Sequence, residues 1–348
     1  MKSIAGRWPL VAALLCAVGA WAGEAPYPPS ELITDIGFGD YVKHTPDRAG
    51  DNWPVTWGDD GSLYTAWGDG QGPDHPDAER VSMGFARVDG GPLDAEVVKI
   101  DSPDEQSGDG RGGRKASGML MVDGVLYMWV RNDNQQGEHC RLWWSTDRGA
   151  NWRRADWSFE EFGYATFVNY GRDYEGARDG YVYSVSSDTP SAYDYADGFV
   201  LFRAPKDQLT DRGAYEFFVE RDEDGEPVWT SDVAGRGWVF QHDAHCQRSS
   251  ISYNPALGRY LWWQSGWLGV DGEDTRFNDG ALGVYEAPAP WGPWRTVYYS
   301  DSFPSPGETG CFPVKWMGPL ADGQQTIHMV TSTDDAFSVY PVTLTIAE

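Results

Sequence analysis

Residues 117–152 carry the clearest strand pattern in the chain. It opens Ser117-Gly-Met-Leu-Met-Val122, turns at Asp123-Gly124, and continues Val125-Leu-Tyr-Met-Trp-Val130. Two apolar, alternating runs joined by Asp-Gly are a β-hairpin signal, because both turn residues must take positive φ. A third run, Arg141-Leu-Trp-Trp-Ser145, follows after a polar loop. The unit is therefore strand, tight turn, strand, polar loop, strand.

That unit recurs on both sides of it. Asn52–Trp57 turns at Gly58–Gly61 into Ser62–Trp67. Thr166–Tyr170 leads into Tyr181–Val185. Ser250–Tyr253 turns through Asn254–Gly258 into Arg259–Trp263, and Phe312–Trp316 turns through Gly323 into Thr326–Val330. Third strands follow at Met83–Arg87, Phe199–Arg203, Leu282–Glu286 and Phe337–Pro341. The turns begin at residues 58, 123, 171, 254 and 318, a mean spacing of 65. Five repeats of that length fill the chain beyond residue 22, which predicts an all-β, five-bladed propeller. Fourth strands are visible at Glu96–Ile100 and Trp294–Tyr299. The fifth copy lacks one, and Leu32–Asp40 has no partner of its own, so this N-terminal segment is expected to close the ring and remove the open edge. Ser145-Thr-Asp147-Arg-Gly149-Ala-Asn-Trp152 matches the S-x-D-x-G-x-x-W Asp box of sialidase-type propellers, which keeps a six-bladed, sialidase-like ring as the alternative. The Asp box is a structural motif and says nothing of catalysis.

The N-terminus reads as an address. Lys2 and Arg7 precede an apolar run from Trp8 to Ala22, and Ala20-Trp21-Ala22 offers a cleavage site. The pattern predicts a signal peptide over 1–22, followed by one propeller domain over 23–348, secreted or periplasmic after cleavage near Ala22. Leu15 before Cys16 does not fit a lipoprotein signal. With 53 acidic against 27 basic residues and a net charge of −26, the chain lacks the basic footprint of a nucleic-acid binder or of a protein docking on anionic membranes. It is expected to be a monomer. Three cysteines lie beyond the leader: Cys140, Cys246 and Cys311. Their spacing fits no zinc motif. If one bridge forms, Cys246 with Cys311 is the pair expected, since both lie beside inner strands of adjacent blades.

In a propeller, the loop before the first strand and the loop after the second open on one face of the channel. That rule gathers the candidate site residues. Blade one contributes Asp51, Asn52, Trp53 and Asp69; blade two Lys115, Ser117, Arg131 and Asn132; blade three Tyr164, Ser187 and Asp188. Blade four adds His245, Arg248, Ser249 and Gln264, and blade five adds Glu308, Thr309, Asp334 and Asp335. Carboxylates, cations and aromatics converging on one mouth suit a polysaccharide or oligosaccharide, with two carboxyls as acid and base. Asp51 is expected as base or nucleophile, and Glu308 or Asp69 as general acid, its pKa raised by its neighbour. Trp53 and Trp67 are placed to stack on a sugar. Lys115, Arg131, Asn132, Tyr164, Asp188, His245, Arg248, Gln264 and Asp334, with Asn52, are candidate substrate contacts. No G-x-S-x-G, H-E-x-x-H or Walker motif is present, and the three arginines of a sialidase pocket are not evident. No cofactor is expected to be required; a structural calcium in the channel is left open. A uronate-specific lyase, with His245 or Tyr164 as base, and a non-catalytic glycan-binding propeller are the rival readings.

Gly50-Asp51-Asn52-Trp53-Pro54-Val-Thr-Trp57, joined to Leu63-Tyr-Thr-Ala-Trp67-Gly68-Asp69-Gly70, resembles a bacterial family of unknown function, DUF 4185. Gly118–Asn132, Ala287–Trp294 and Asp334–Ser338 extend the resemblance over nearly the whole chain beyond the leader. The resemblance implies a five-bladed propeller related to glycoside hydrolases, some members being endo-D-arabinanases, and makes Asp51 and Asp69 the leading catalytic candidates. The arabinan-degrading propellers carry an Asp at the start of the second blade and a Glu at the third. Here those places hold Lys115/Ser117 and Tyr164/Thr166.

Overall fold

The computed structural model describes residues 24–73, 78–266 and 279–347. The expected signal peptide lies outside them. Among the described residues the strands form five blades. Blade one is Val55–Trp57, Leu63–Gly70, Val81–Asp89 and Glu96–Ile100, in that order. Blade two is Lys115–Val122, Val125–Arg131, Cys140–Ser145 and the two-residue strand Arg153–Arg154. Blade three runs Ala165–Asn169, Tyr181–Ser187, Ala196–Pro205 and Glu216–Arg221; blade four runs Arg248–Asn254, Arg259–Ser265, Asp279–Ala287 and Arg295–Pro304. The inner strands of blades three and four also pair in parallel, Val168 opposite Ile251. The five-bladed reading holds, and the six-bladed alternative does not.

The hairpins form where the turn chemistry demands them. Asp123 and Gly124 both take positive φ (49° and 75°) between the paired Val122 and Val125, and Asp322 and Gly323 repeat this in blade five (51° and 71°). The Asp box folds as a turn: the Ser145 hydroxyl donates to Asp147, and Asp147 accepts from the Asn151 amide. Its Trp152 is 7% exposed and packs on Phe85 of blade one, ring centres 5.1 Å apart, wedging two blades together.

The ring closes at the N-terminus. Ile33–Phe38 lies antiparallel to Ser338–Ile346, with Ile36 opposite Leu344. Val42–Lys43 continues along the same strand, so the closing segment reaches further than Asp40. Ile33 and Ile36 join Leu344, Ile346 and Phe303 in one apolar cluster, which ties the closing strand to blade four as well.

Two features depart from the sequence reading. Blade five's inner strand is Gly310–Cys311, not Phe312–Trp316, because Pro313 has no N–H to give a ladder and the chain turns there into a 3-10 helix at Val314–Trp316. Blade three carries an insertion, in which Pro227–Thr230 pairs with Glu216–Arg221 and Phe240–Cys246 returns against Ala196–Pro205. Cys246 ends that returning strand, and Cys140, Cys246 and Cys311 are all free and buried. The expected Cys246–Cys311 bridge is absent.

Candidate active site at the channel mouth

Blade one delivers its carboxyl through an unusual backbone. Asp51 pairs antiparallel with Gly68, each N–H donating to the other's carbonyl (2.8 and 2.7 Å). A Cβ on Gly68 would sit 2.3 Å from Asp51 Oδ1, so only glycine admits the carboxyl at this point. Asn52 and Trp53 follow with φ of 74° and 40°, a left-handed step that bulky residues rarely take. This step turns Trp53 inward. Its indole N–H donates to the Gly50 carbonyl (2.7 Å), and its ring packs on Trp67 and Phe337 at 1% exposure. Trp53 and Trp67 are therefore core between blades one and five, not platforms for a sugar.

Asp51 is 8% exposed, and the Asn52 side-chain amide donates to its Oδ1. Burial, and then the charge of Glu308, push its carboxyl up to about 7, against the opposing pull of Arg131. Glu308 enters from blade five. Its N–H donates to Ser332 Oγ (2.9 Å), and the neighbouring Thr309 hydroxyl donates to the Asn52 carbonyl. Ring closure thus seats the Asp51 and Glu308 segments side by side. Below them the channel narrows to a void of about 20 Å³, enough for about one water, lined by Ser117, Tyr164, Ser249 and Thr309 among others.

Asp69 has a different setting. Its Oδ1 lies 2.9 Å from Lys115 Nζ, and its Oδ2 accepts from the Gly110 N–H (3.0 Å). Lys115 also donates to the Gly110 carbonyl (2.8 Å), and Asn132 donates to the Gly110 and Gly113 carbonyls (3.1 and 2.7 Å). These three side chains clamp the glycine-rich loop before blade two. They shape the mouth, and both Asp69 carboxylate oxygens are engaged in that clamp.

The opposite wall is cationic and aromatic. Arg131 and Arg248 are each 1% exposed. Arg131 Nη2 donates to Asn52 Oδ1 (3.1 Å), and Arg248 Nη2 lies 3.8 Å from Glu308 Oε2. Both guanidinium groups flank the Tyr164 ring (5.7 and 4.6 Å) and the Tyr193 ring (5.4 and 5.7 Å). Tyr193 is the functional candidate that sequence reasoning missed. Its hydroxyl accepts from Asn132 (2.9 Å). Burial alone would raise its phenol, but Arg131, Lys115 and Arg248 outweigh burial and hold it below the ordinary value.

Three other candidates take other roles, and a fourth is buried on blade four. Asp188 is bound by Arg236 (2.7 Å) and by the Trp238 indole N–H (2.7 Å), so its carboxylate anchors the blade-three insertion. His245 stacks on His242, ring centres 3.9 Å apart, on the returning strand Phe240–Cys246. Asp334 accepts from the Tyr41 hydroxyl (2.9 Å) beside Lys43, on the closing segment. Gln264 is buried in register with Ser249, on the second strand of blade four.

No protein-family model matches the chain, and no curated protein matches it. The resemblance to DUF 4185 rests on its quoted motifs. Among solved structures the chain is similar to the alpha-L-arabinofuranosidase of Podospora anserina, solved with cellotriose, at 10% identity over 92% of this chain and 99% of that one, TM-score 0.47. A GH43_1 enzyme from Xanthomonas citri, solved with xylotriose, is similar at 12% identity over 88% and 92%, TM-score 0.48. A glycosyl hydrolase from Bacteroides ovatus is similar at 12% identity over 93% and 94%, TM-score 0.47. At these values the likeness carries no argument about chemistry, and the fold and the site rest on the chain's own geometry.

Proposed function

We propose that the chain is an exported glycoside hydrolase that cleaves a polysaccharide at the channel mouth. The observation behind this reading is the carboxyl pair. Asp51 and Glu308 come from adjacent blades, and burial together with the Glu308 charge lets Asp51 keep its proton up to about pH 7, against the pull of Arg131. A proton-bearing carboxyl beside a carboxylate is the equipment of glycosidic bond cleavage. Asp51 is the general acid, reversing the role expected from sequence, because burial and not mere proximity decides which partner keeps the proton. Glu308, next to the Arg248 guanidinium, is the base or nucleophile. Asp69 and Lys115 hold the mouth in shape. Reducing-end release should be measured on a panel of neutral and acidic polysaccharides for the wild type and for Asp51→Asn and Glu308→Gln. Activity lost in both variants on a glycan that the wild type cleaves supports the reading. A glycan that is bound but never cleaved refutes it.

A second reading has its own observation. Tyr193, with its phenol pulled down between two arginines, has the setting of the base in a uronate lyase. Products that absorb in the ultraviolet as unsaturated uronates, with full activity in Glu308→Gln, favour the lyase over the hydrolase.

A further inference from the structure

We propose that Arg131 and Arg248 recognise a carboxylate carried by the sugar unit bound at the mouth, which makes the substrate a uronate-containing glycan. The inference rests on the reading of the mouth as a glycan site and names the class of glycan.

Two buried guanidinium groups share one wall, and their hydrogen-bonding capacity is mostly unused. Among the described residues, no acceptor reaches Nε or Nη1 of Arg131, or Nε, Nη1 or Nη2 of Arg248. The Glu308 carboxylate stands 3.8 Å from Arg248, too far for a hydrogen bond. The two cations also face each other across Tyr164 and Tyr193 and share both rings. Each arginine therefore carries unmade hydrogen bonds and a like-charged neighbour, and an anion with two acceptor oxygens relieves both.

Guanidinium is a planar fork that matches a carboxylate in two parallel bonds. Neutral hydroxyls fit these donors less well, because they leave the like charges unbalanced. The ion pairing points the same way. Lys115 and Asp69 pair with each other. Of the two wall arginines, only Arg248 has a carboxylate within 4 Å among the described residues, that of Glu308 at 3.8 Å. The rest of the molecule offers an anion no help: its net charge is −26, so its long-range field repels one. Recognition has to be local, and this wall supplies it. Ser249 Oγ and Gln264 Nε2, buried and without partners among the described residues, are further groups on blade four for a polar ligand.

The test uses the full chain carrying Asp51→Asn, so that binding is read apart from cleavage. Calorimetry compares trigalacturonate and triglucuronate with their carboxyl-reduced counterparts and with a sulfated neutral trisaccharide. At least one acidic trimer should bind about tenfold or more tighter than its reduced form. Adding Arg248→Gln should abolish that preference, bringing the acidic and the reduced trimer to equal affinity. Arg248→Lys, which keeps the charge and loses the fork, should retain only part of it, and it serves if the glutamine variant does not fold. Equal affinity for acidic and reduced trimers, no binding of either acidic trimer, preference for the sulfated sugar, or a preference that survives both substitutions overturns the proposal. The two readings fail separately. Cleavage of a neutral glycan with no uronate binding ends this one and leaves the hydrolase. Uronate binding without cleavage of any acidic glycan ends the hydrolase and leaves this one.

Discussion

Asp51 concentrates the chemistry of the site in one side chain. Its ordinary value is 3.8, and in the fold it is pushed up to about 7. The folded state therefore binds the extra proton between those values, and stability falls as pH rises through that window. Asp51→Asn should remove that fall, so its thermal midpoint should gain on the wild type between about pH 5 and about pH 8. Parallel midpoints at both pH values would show that Asp51 is ionised in the fold. Activity should fall as pH rises through about 7, when the general acid loses its proton, and a profile flat across that range would place the acid elsewhere. Gly68→Ala puts a methyl group 2.3 Å from Asp51 Oδ1. Turnover should drop about 10²-fold with the fold retained, as checked by kinetics and circular dichroism together. Much of this was legible in the sequence, because Gly-Asp-Asn-Trp-Pro and Gly-Asp-Gly place carboxyls at strand ends. Trp53 was misread because an aromatic in a loop looks the same facing in or out, and only the φ of 40° turns it inward. Tyr193 was not legible at all. It lies in a loop with no period, between the second and third strands of blade three, and only the ring brings it to Arg131.

Among the elements, the closing strand bears most on the ring. Ile33–Phe38 supplies the outer strand of blade five, and its Ile33 and Ile36 are core. Deleting residues 24–43 removes a ladder of hydrogen bonds and an apolar seam together, and exposes a strand edge. The truncated protein should unfold at a clearly lower temperature or aggregate, and an unchanged midpoint in scanning calorimetry would contradict the closure. This strand was legible because Leu32–Asp40 has a strand pattern and no partner of its own, while the fifth copy shows three strands. The hairpins were legible because Asp-Gly turns announce themselves. The inner strand of blade five was misplaced, because the apolar run around Phe312 looks like a strand while Pro313 forbids one. The insertion of Phe240–Cys246 was missed because its His-Asp-Ala-His run has no strand pattern, and its pairing with Ala196–Pro205 is decided by Phe240 entering the core opposite Phe199.

For the whole molecule, the repeat length alone carried the architecture, and burial decided the rest. Cys140, Cys246 and Cys311 show this: spacing suggested a bridge, yet each thiol is buried, and burial raises all three above their ordinary value. A thiol reagent should label none of them in the folded protein and all three after denaturation, and reductant should leave the thermal midpoint unchanged. Labelling of a native thiol would contradict the buried placement. Blades one and five bring Asp51 and Glu308 to one mouth, and the central claim is that these two carboxyls break a glycosidic bond. Its most direct test is reducing-end release from the acidic polysaccharide that the wild type cleaves fastest, compared with Asp51→Asn and Glu308→Gln under the same conditions. The account predicts that each variant loses about 10²–10⁴-fold in turnover while still binding the glycan. Near-normal turnover in Asp51→Asn would contradict it.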